Sequence, residues 1–125
     1  MANFKILVVD DDEGILELVG LILRREGYEV LLARNGAEAL QLVRDGQPDL
    51  MILDVMMPIL DGYQVAAEIQ RDKALSKRPK IVLATSRDIQ REGKIIEFTG
   101  ACGALQKPFT PTALLEVVRE ILRGC

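Results

Sequence analysis

The stretch Leu50-Met51-Ile52-Leu53-Asp54-Val55-Met56-Met57-Pro58-Ile59-Leu60-Asp61-Gly62 decides the fold. Its first four residues are apolar without alternation, as in a strand covered on both faces, and such strands belong to parallel sheets. The run breaks on an aspartate, and Asp61-Gly62 then reads as a turn with an N-cap for a helix from about Gly62 to Arg71. The same pattern recurs on either side. Short apolar runs occur at Lys5 to Val9, Val30 to Ala33, Ile81 to Ala84 and, more weakly, Ala104 to Gln106. Between them lie amphipathic stretches. Ile15, Leu18, Val19, Ile22 and Leu23 stand at i, i+3, i+4, i+7 and i+8 before Glu26-Gly27, where glycine can take the left-handed C′ conformation. A second stretch covers about Gly36 to Arg44. The last runs from Pro111 to Leu122, with Thr110 as N-cap and proline at the first helical position. Around Arg87 to Gly93 the chain is polar and contains glycine, so the fourth helix is expected to fray at its start, with Ile95, Ile96 and Phe98 as its apolar face. Five βα units with right-handed crossovers make a doubly wound α/β fold around a parallel sheet, whose sites form beyond the carboxyl ends of the strands.

Composition narrows the chemistry. The 125 residues suit one domain spanning 1–125, and no internal repeat or linker divides them. The chain has no histidine, which removes Ser-His and Cys-His nucleophilic catalysis, histidine general-base chemistry and histidine metal sites. Nineteen acidic and sixteen basic residues give a net charge of −3, which argues against generic binding to nucleic acid or an anionic membrane. No helix-turn-helix or basic stripe is visible. No apolar run approaches the roughly 20 residues of a membrane span, and the first residues do not make a signal peptide, so a cytoplasmic protein is expected. Cys102 and Cys125 are too few and too distant in sequence for a disulfide framework or a thiolate zinc site, which points to reducing surroundings.

The residues that follow the strands are Asp10-Asp11-Asp12-Glu13, then Asp54, Thr85-Ser86 and Lys107-Pro108. A parallel sheet brings these ends together. Crowded carboxylates repel, and a hard divalent cation such as Mg²⁺ with oxygen ligands resolves the repulsion. A carboxylate beside such a cation, a lysine and a hydroxyl suits phosphoryl transfer, with Asp54 as the candidate nucleophile. Taken singly, each residue has a plainer explanation. Asp12 and Glu13 are explained by capping and the helix dipole, Asp54 by a strand-end turn, Thr85 by a strand-end hydroxyl, and Lys107 by solvation. Only their joint placement favours a site.

The chain resembles the receiver domains of two-component response regulators along its whole length. The resemblance is carried by Val8-Val9-Asp10-Asp11, Leu53-Asp54-Val55-Met56-Met57-Pro58 with Asp61-Gly62, Thr85-Ser86 and Lys107-Pro108-Phe109. Intervals of 43, 31 and 22 residues separate Asp11, Asp54, Thr85 and Lys107, and they fit that family too. The resemblance implies a flavodoxin-like (βα)5 fold with strand order 2-1-3-4-5. It makes Asp54 the phosphoacceptor, served by phosphohistidine on a sensor histidine kinase or histidine phosphotransfer protein. It implies that Mg²⁺ is held by Asp11, Asp54 and the main-chain carbonyl of Met56, with Asp10 acting through water. Thr85 and Lys107 would contact the phosphoryl oxygens, and Lys107-Pro108 would be cis. The face made by the fourth helix, fifth strand and fifth helix would control a downstream effector protein.

Three departures bear on mechanism. Ala104 stands where the family usually carries an aromatic ring whose rotamer follows activation, so output must use the loop and helix face or a partner filling that space. Met56 and Arg87 occupy positions that flank the path of a hydrolytic water. Met56 cannot activate a water and Arg87 can shield an acyl phosphate, so slow autodephosphorylation is expected. Two other functions compete with the phosphoacceptor switch. An aspartyl-phosphate phosphatase would need a second carboxylate where Met56 stands. A pseudo-receiver acting only as an interaction module is favoured solely by Ala104.

Overall fold

The computed structural model describes residues 3–125. Ten elements alternate along them: β1 (Lys5–Val9), α1 (Glu13–Arg25), β2 (Glu29–Ala33), α2 (Gly36–Gly46), β3 (Leu50–Asp54), α3 (Gly62–Arg71), β4 (Lys80–Thr85), α4 (Ile89–Phe98), β5 (Gly103–Gln106) and α5 (Pro111–Gly124). The strands form one parallel sheet in the order β2-β1-β3-β4-β5. The doubly wound arrangement expected from the residue pattern is therefore the one observed, and its strand order is the flavodoxin-like one that the resemblance implies.

The continuous apolar runs are explained by the two-residue repeat of a strand. Leu7, Val9, Met51, Leu53, Ile81 and Leu83 point to one side, where α2, α3 and α4 cover them with Ala39, Val43, Val65, Ile69 and Ile96. Ile6, Val8, Leu50, Ile52, Val82 and Ala84 point to the other, against Leu16, Val19 and Leu23 of α1 and Leu114, Val118 and Ile121 of α5. Both faces are thus dry, and burying each large aliphatic side chain contributes about 1.5–3 kcal/mol.

Helix starts follow local chemistry. Asp12, Asn35, Asp61, Asp88 and Thr110 each accept a main-chain N–H in the first turn of the helix that follows. Asp61 and Gln64 form a reciprocal capping box. Gly27 takes φ +90° after α1, as the Glu26-Gly27 stop predicts.

Two expectations are corrected. The apolar face expected of α4 is not buried at Phe98, which is 93% exposed, and Ile96 alone of the helix is buried, while Asp88 caps its polar first turn. Cys102 and Cys125 are joined in a disulfide, with their Cα atoms 5.9 Å apart across 23 positions of sequence. The reason is the βα unit itself: α5 runs back along β5 and returns the chain to the strand's start. There Ile121 packs over Gly103, one residue from Cys102. Distance in sequence was a poor guide to distance in space, and the cysteines give no argument for reducing surroundings.

Candidate functional site

The carboxyl ends of β1, β3, β4 and β5 lie side by side, and the residues singled out in the sequence meet there. One oxygen from each of Asp10, Asp11 and Asp54 falls within 4.8 Å of the others. Asp10 and Asp54 are buried and Asp11 is exposed, so the cluster opens to solvent on one side only. The Lys107 ammonium spans the two buried carboxylates, donating to Asp10 Oδ2 at 2.8 Å and Asp54 Oδ1 at 3.1 Å. Asp10 Oδ1 also accepts the N–H of Asp12 at 3.0 Å, and Asp54 Oδ1 that of Met56 at 3.3 Å.

Electrostatics in this cluster pull in two directions. Burial pushes the Asp54 carboxyl above the ordinary aspartate range, the neighbouring Asp10 charge adds to the push, and Lys107 and the Met56 N–H only partly offset it. For Lys107, burial works to lower the pKa, but its hydrogen bonds and charge pairing with Asp10 and Asp54 overcome that and hold it above the usual lysine value. Three carboxylates and one ammonium leave two negative charges in a small volume. Hard oxygen donors with that net charge suit a divalent cation.

Thr85 is fully buried at the end of β4. Its hydroxyl accepts the Arg87 N–H at 3.0 Å, and among the described residues its own proton has no protein acceptor, so it is free to donate. Lys107 precedes a cis peptide bond to Pro108, and its N–H donates to the Thr85 carbonyl at 2.8 Å.

Around this centre, Asp12 and Asp61 act as helix caps. Glu13 is ion-paired with Arg34. The exposed Met56 side chain and Arg87 line one cleft with Val55, Met57 and Asp61. Arg87 also binds Glu92 of α4 at 3.1 Å, and Glu92 accepts the Tyr63 hydroxyl at 3.2 Å. Ala104 pairs with Leu83 in the sheet and packs at the margin of the core.

Two residues were missed by the sequence reading. Gly62 was read only as part of a turn, but it is buried so close under the strand end that a Cβ there would lie 2.4 Å from the Asp54 carbonyl oxygen and 2.8 Å from Val55 Cα. Gln106, exposed at the end of an edge strand, was read only as the last residue of the weak run Ala104 to Gln106, yet its amide is bonded to the loop between β4 and α4.

Known proteins resemble the chain in sequence and in shape. A family model described as the response regulator receiver domain matches residues 6–119. The alkaline phosphatase synthesis transcriptional regulatory protein PhoP of Bacillus subtilis is 39% identical over 97% of this chain, which covers 49% of PhoP. The response regulator MprA of Mycobacterium sp. (strain KMS) is 40% identical over 95% of this chain and 50% of its own length. The chain therefore spans about half the length of these curated relatives. The chemotaxis protein CheY4 of Vibrio cholerae superposes with a TM-score of 0.88 at 32% identity, over 96% of this chain and 99% of CheY4. With sequence and fold in agreement, the chain belongs to the response regulator receiver domains, the phosphoacceptor signalling modules of two-component systems.

Proposed function

We propose that this receiver, taken as one domain over 1–125, switches state when Asp54 accepts a phosphoryl group from phosphohistidine on a sensor histidine kinase or histidine phosphotransfer protein. A carboxylate oxygen of Asp54 forms the new bond to phosphorus while the P–N bond breaks and its electron pair returns to the donor imidazole. The observation that carries the reading is the Lys107 ammonium spanning Asp10 and Asp54. A cation already held against the nucleophile can move to the incoming phosphoryl oxygens, where it neutralises charge as the transfer proceeds. Thr85 would donate its uncommitted proton to another of those oxygens.

The donor set fits Mg²⁺, which the family binds through such acidic residues: Asp11, Asp54 and the Met56 carbonyl would hold it, with Asp10 acting through water. When bound, the ion supplies further neutralisation of the phosphoryl oxygens. The change at Thr85 and Lys107 would then alter the α4-β5-α5 face and control an effector protein. The relatives named above are regulators of which this chain covers about half, so the nature of that effector is part of the proposal. The net charge of −3 favours protein contact over direct nucleic-acid contact, and cytoplasmic work suits a phosphohistidine donor. Among the described residues, no helix is long and apolar enough to cross a membrane.

Incubation with Mg²⁺ and phosphoramidate, followed by intact mass measurement, tests the reading. The expected result is a gain of one phosphoryl group that Asp54→Asn abolishes. No gain would favour the interaction module suggested by Ala104. Rapid turnover to free phosphate would favour a phosphatase, against which the apolar Met56 stands. Met56 and Arg87 at one cleft also support a long-lived acyl phosphate. Replacing both with alanine should shorten its lifetime, measured by the decay of the phosphorylated mass.

A further inference from the structure

Gln106 makes an unusual set of bonds for an exposed residue. Its Nε2 donates to the carbonyls of Thr85 at 3.1 Å and Arg87 at 2.7 Å, and its Oε1 accepts the N–H of Ile89 at 3.1 Å. One primary amide therefore holds the beginning, middle and end of the loop that joins β4 to α4. The Ile89 N–H is among the first donors of α4, which lack partners inside the helix. Asp88 caps the next one, Gln90, and leaves Ile89 to the side chain from β5.

The location gives this clamp a further role. Gln106 immediately precedes Lys107, whose ammonium rests on Asp10 and Asp54, and the Lys107 N–H shares the Thr85 carbonyl with the Gln106 amide. Two groups expected to contact a phosphoryl group are thus tied to the same side chain, one through the backbone and one through a hydrogen bond. Position 104, farther back on the same strand, holds alanine and has no ring to relay movement. We propose that Gln106 is the positioning residue that couples the Thr85 and Lys107 contacts to the start of α4. The proposal rests on the phosphoacceptor reading and names the path of its output.

The chemistry of the amide suits a releasable contact. At the surface, water can replace each of its bonds at small net cost, so the clamp can hold in one state and open in the other. When Thr85 and Lys107 turn toward a phosphoryl group on Asp54, the Thr85 and Arg87 carbonyls shift relative to the amide. The Ile89 cap then weakens and the first turn of α4 becomes free to move.

Amide NMR and hydrogen exchange on the whole chain test this, with and without Mg²⁺ and beryllofluoride as the phosphoryl mimic. In the free protein, Gln106→Met keeps the shape but removes all three bonds, and should speed exchange of the Ile89 N–H about tenfold, the size expected for losing one cap. In the wild type, beryllofluoride should shift the Ile89 and Gln106 side-chain amides and reduce Ile89 protection. In Gln106→Met the Asp54 and Met56 amides should still respond, but the response of residues 89–93 should collapse. Gln106→Glu keeps only the Ile89 bond and should give an intermediate response. A purely structural role would alter Ile89 in both states and leave the difference between them intact, which would overturn the proposal, as would an Ile89 amide indifferent to Gln106→Met. Absence of a bound ¹⁹F signal in the wild type would instead overturn the phosphoacceptor reading, and the coupling with it.

Discussion

Asp54 and Lys107 illustrate how burial and charge settle the character of a site one residue at a time. The Asp54 carboxyl is raised above its ordinary value although an ammonium touches it, so burial and the Asp10 charge outweigh the Lys107 attraction. A raised carboxyl pKa means the fold prefers the protonated form. Its contribution to stability is complete below the ordinary value of 3.8 and is lost as pH rises through the folded value. Asp54→Asn in metal-free buffer should therefore raise the melting temperature by a few degrees at neutral pH, with the gain disappearing below pH 3.8, as a series of thermal melts will show. Lys107 acts in the opposite sense. Its raised pKa keeps the ammonium charged at neutral pH, and its contribution is lost only as pH climbs through a value above 10.5. Lys107→Met should cost about 1–3 kcal/mol, because two buried carboxylates lose their shared donor. Millimolar Mg²⁺ should recover part of that loss in denaturant titrations, since a divalent cation offsets the same charge. A variant equally unstable with and without Mg²⁺ would argue against the three-carboxylate cluster as a cation site.

At the scale of the element, junctions count for more than the elements' interiors. The Asp61 cap and the Gly62 contact together set how α3 leaves the strand that carries Asp54. The Gly62 N–H donates to the Val55 carbonyl at 3.0 Å, and a methyl group would meet backbone that cannot give way. Gly62→Ala should lower stability by about 1–3 kcal/mol and slow phosphorylation of Asp54, measured by denaturant midpoint and by the rate of mass gain. Asp61→Ala, by contrast, removes a cap without moving the strand and should cost about 1 kcal/mol with little change in that rate. α4 is the element whose sequence says least. Its polar first turn is stabilised from outside, by Gln106 of β5, and Glu92 is bonded by Arg87 and by Tyr63 of α3.

For the whole molecule, the sheet and its two covered faces hold the fold, and the Cys102–Cys125 link is an addition at one corner. Neither sulfur lies near the carboxylate cluster in the topology: the bond joins the start of β5 to the end of α5, at the edge opposite the carboxyl ends of the strands. Reduction should leave far-UV circular dichroism and phosphorylation at Asp54 unchanged while lowering stability by up to about 3.4 kcal/mol, the chain-entropy value for a loop of this length. Thiol alkylation with intact mass will report the redox state alongside the thermal melt. Reduction that also abolished phosphorylation would show that the link reaches the site.

Much of the molecule could be read from residue order, and the rest for a definite reason. Strands, helix caps and the strand-end stations Asp10, Asp11, Asp54, Thr85 and Lys107 are local matters of apolar period, side-chain length and turn chemistry, and these act within a few residues. The parallel sheet then brings those stations together without further instruction, because every strand ends on the same side. What could not be read were the relations between elements distant in the chain. The cysteines meet because α5 runs back along β5, Gly62 matters because a strand end lies against it, and Gln106 matters because a loop from β4 reaches its amide. Each depends on packing distances, which residue types and spacings do not encode: apolar periodicity determines which side of an element is buried, and only the assembled layers determine what it meets there.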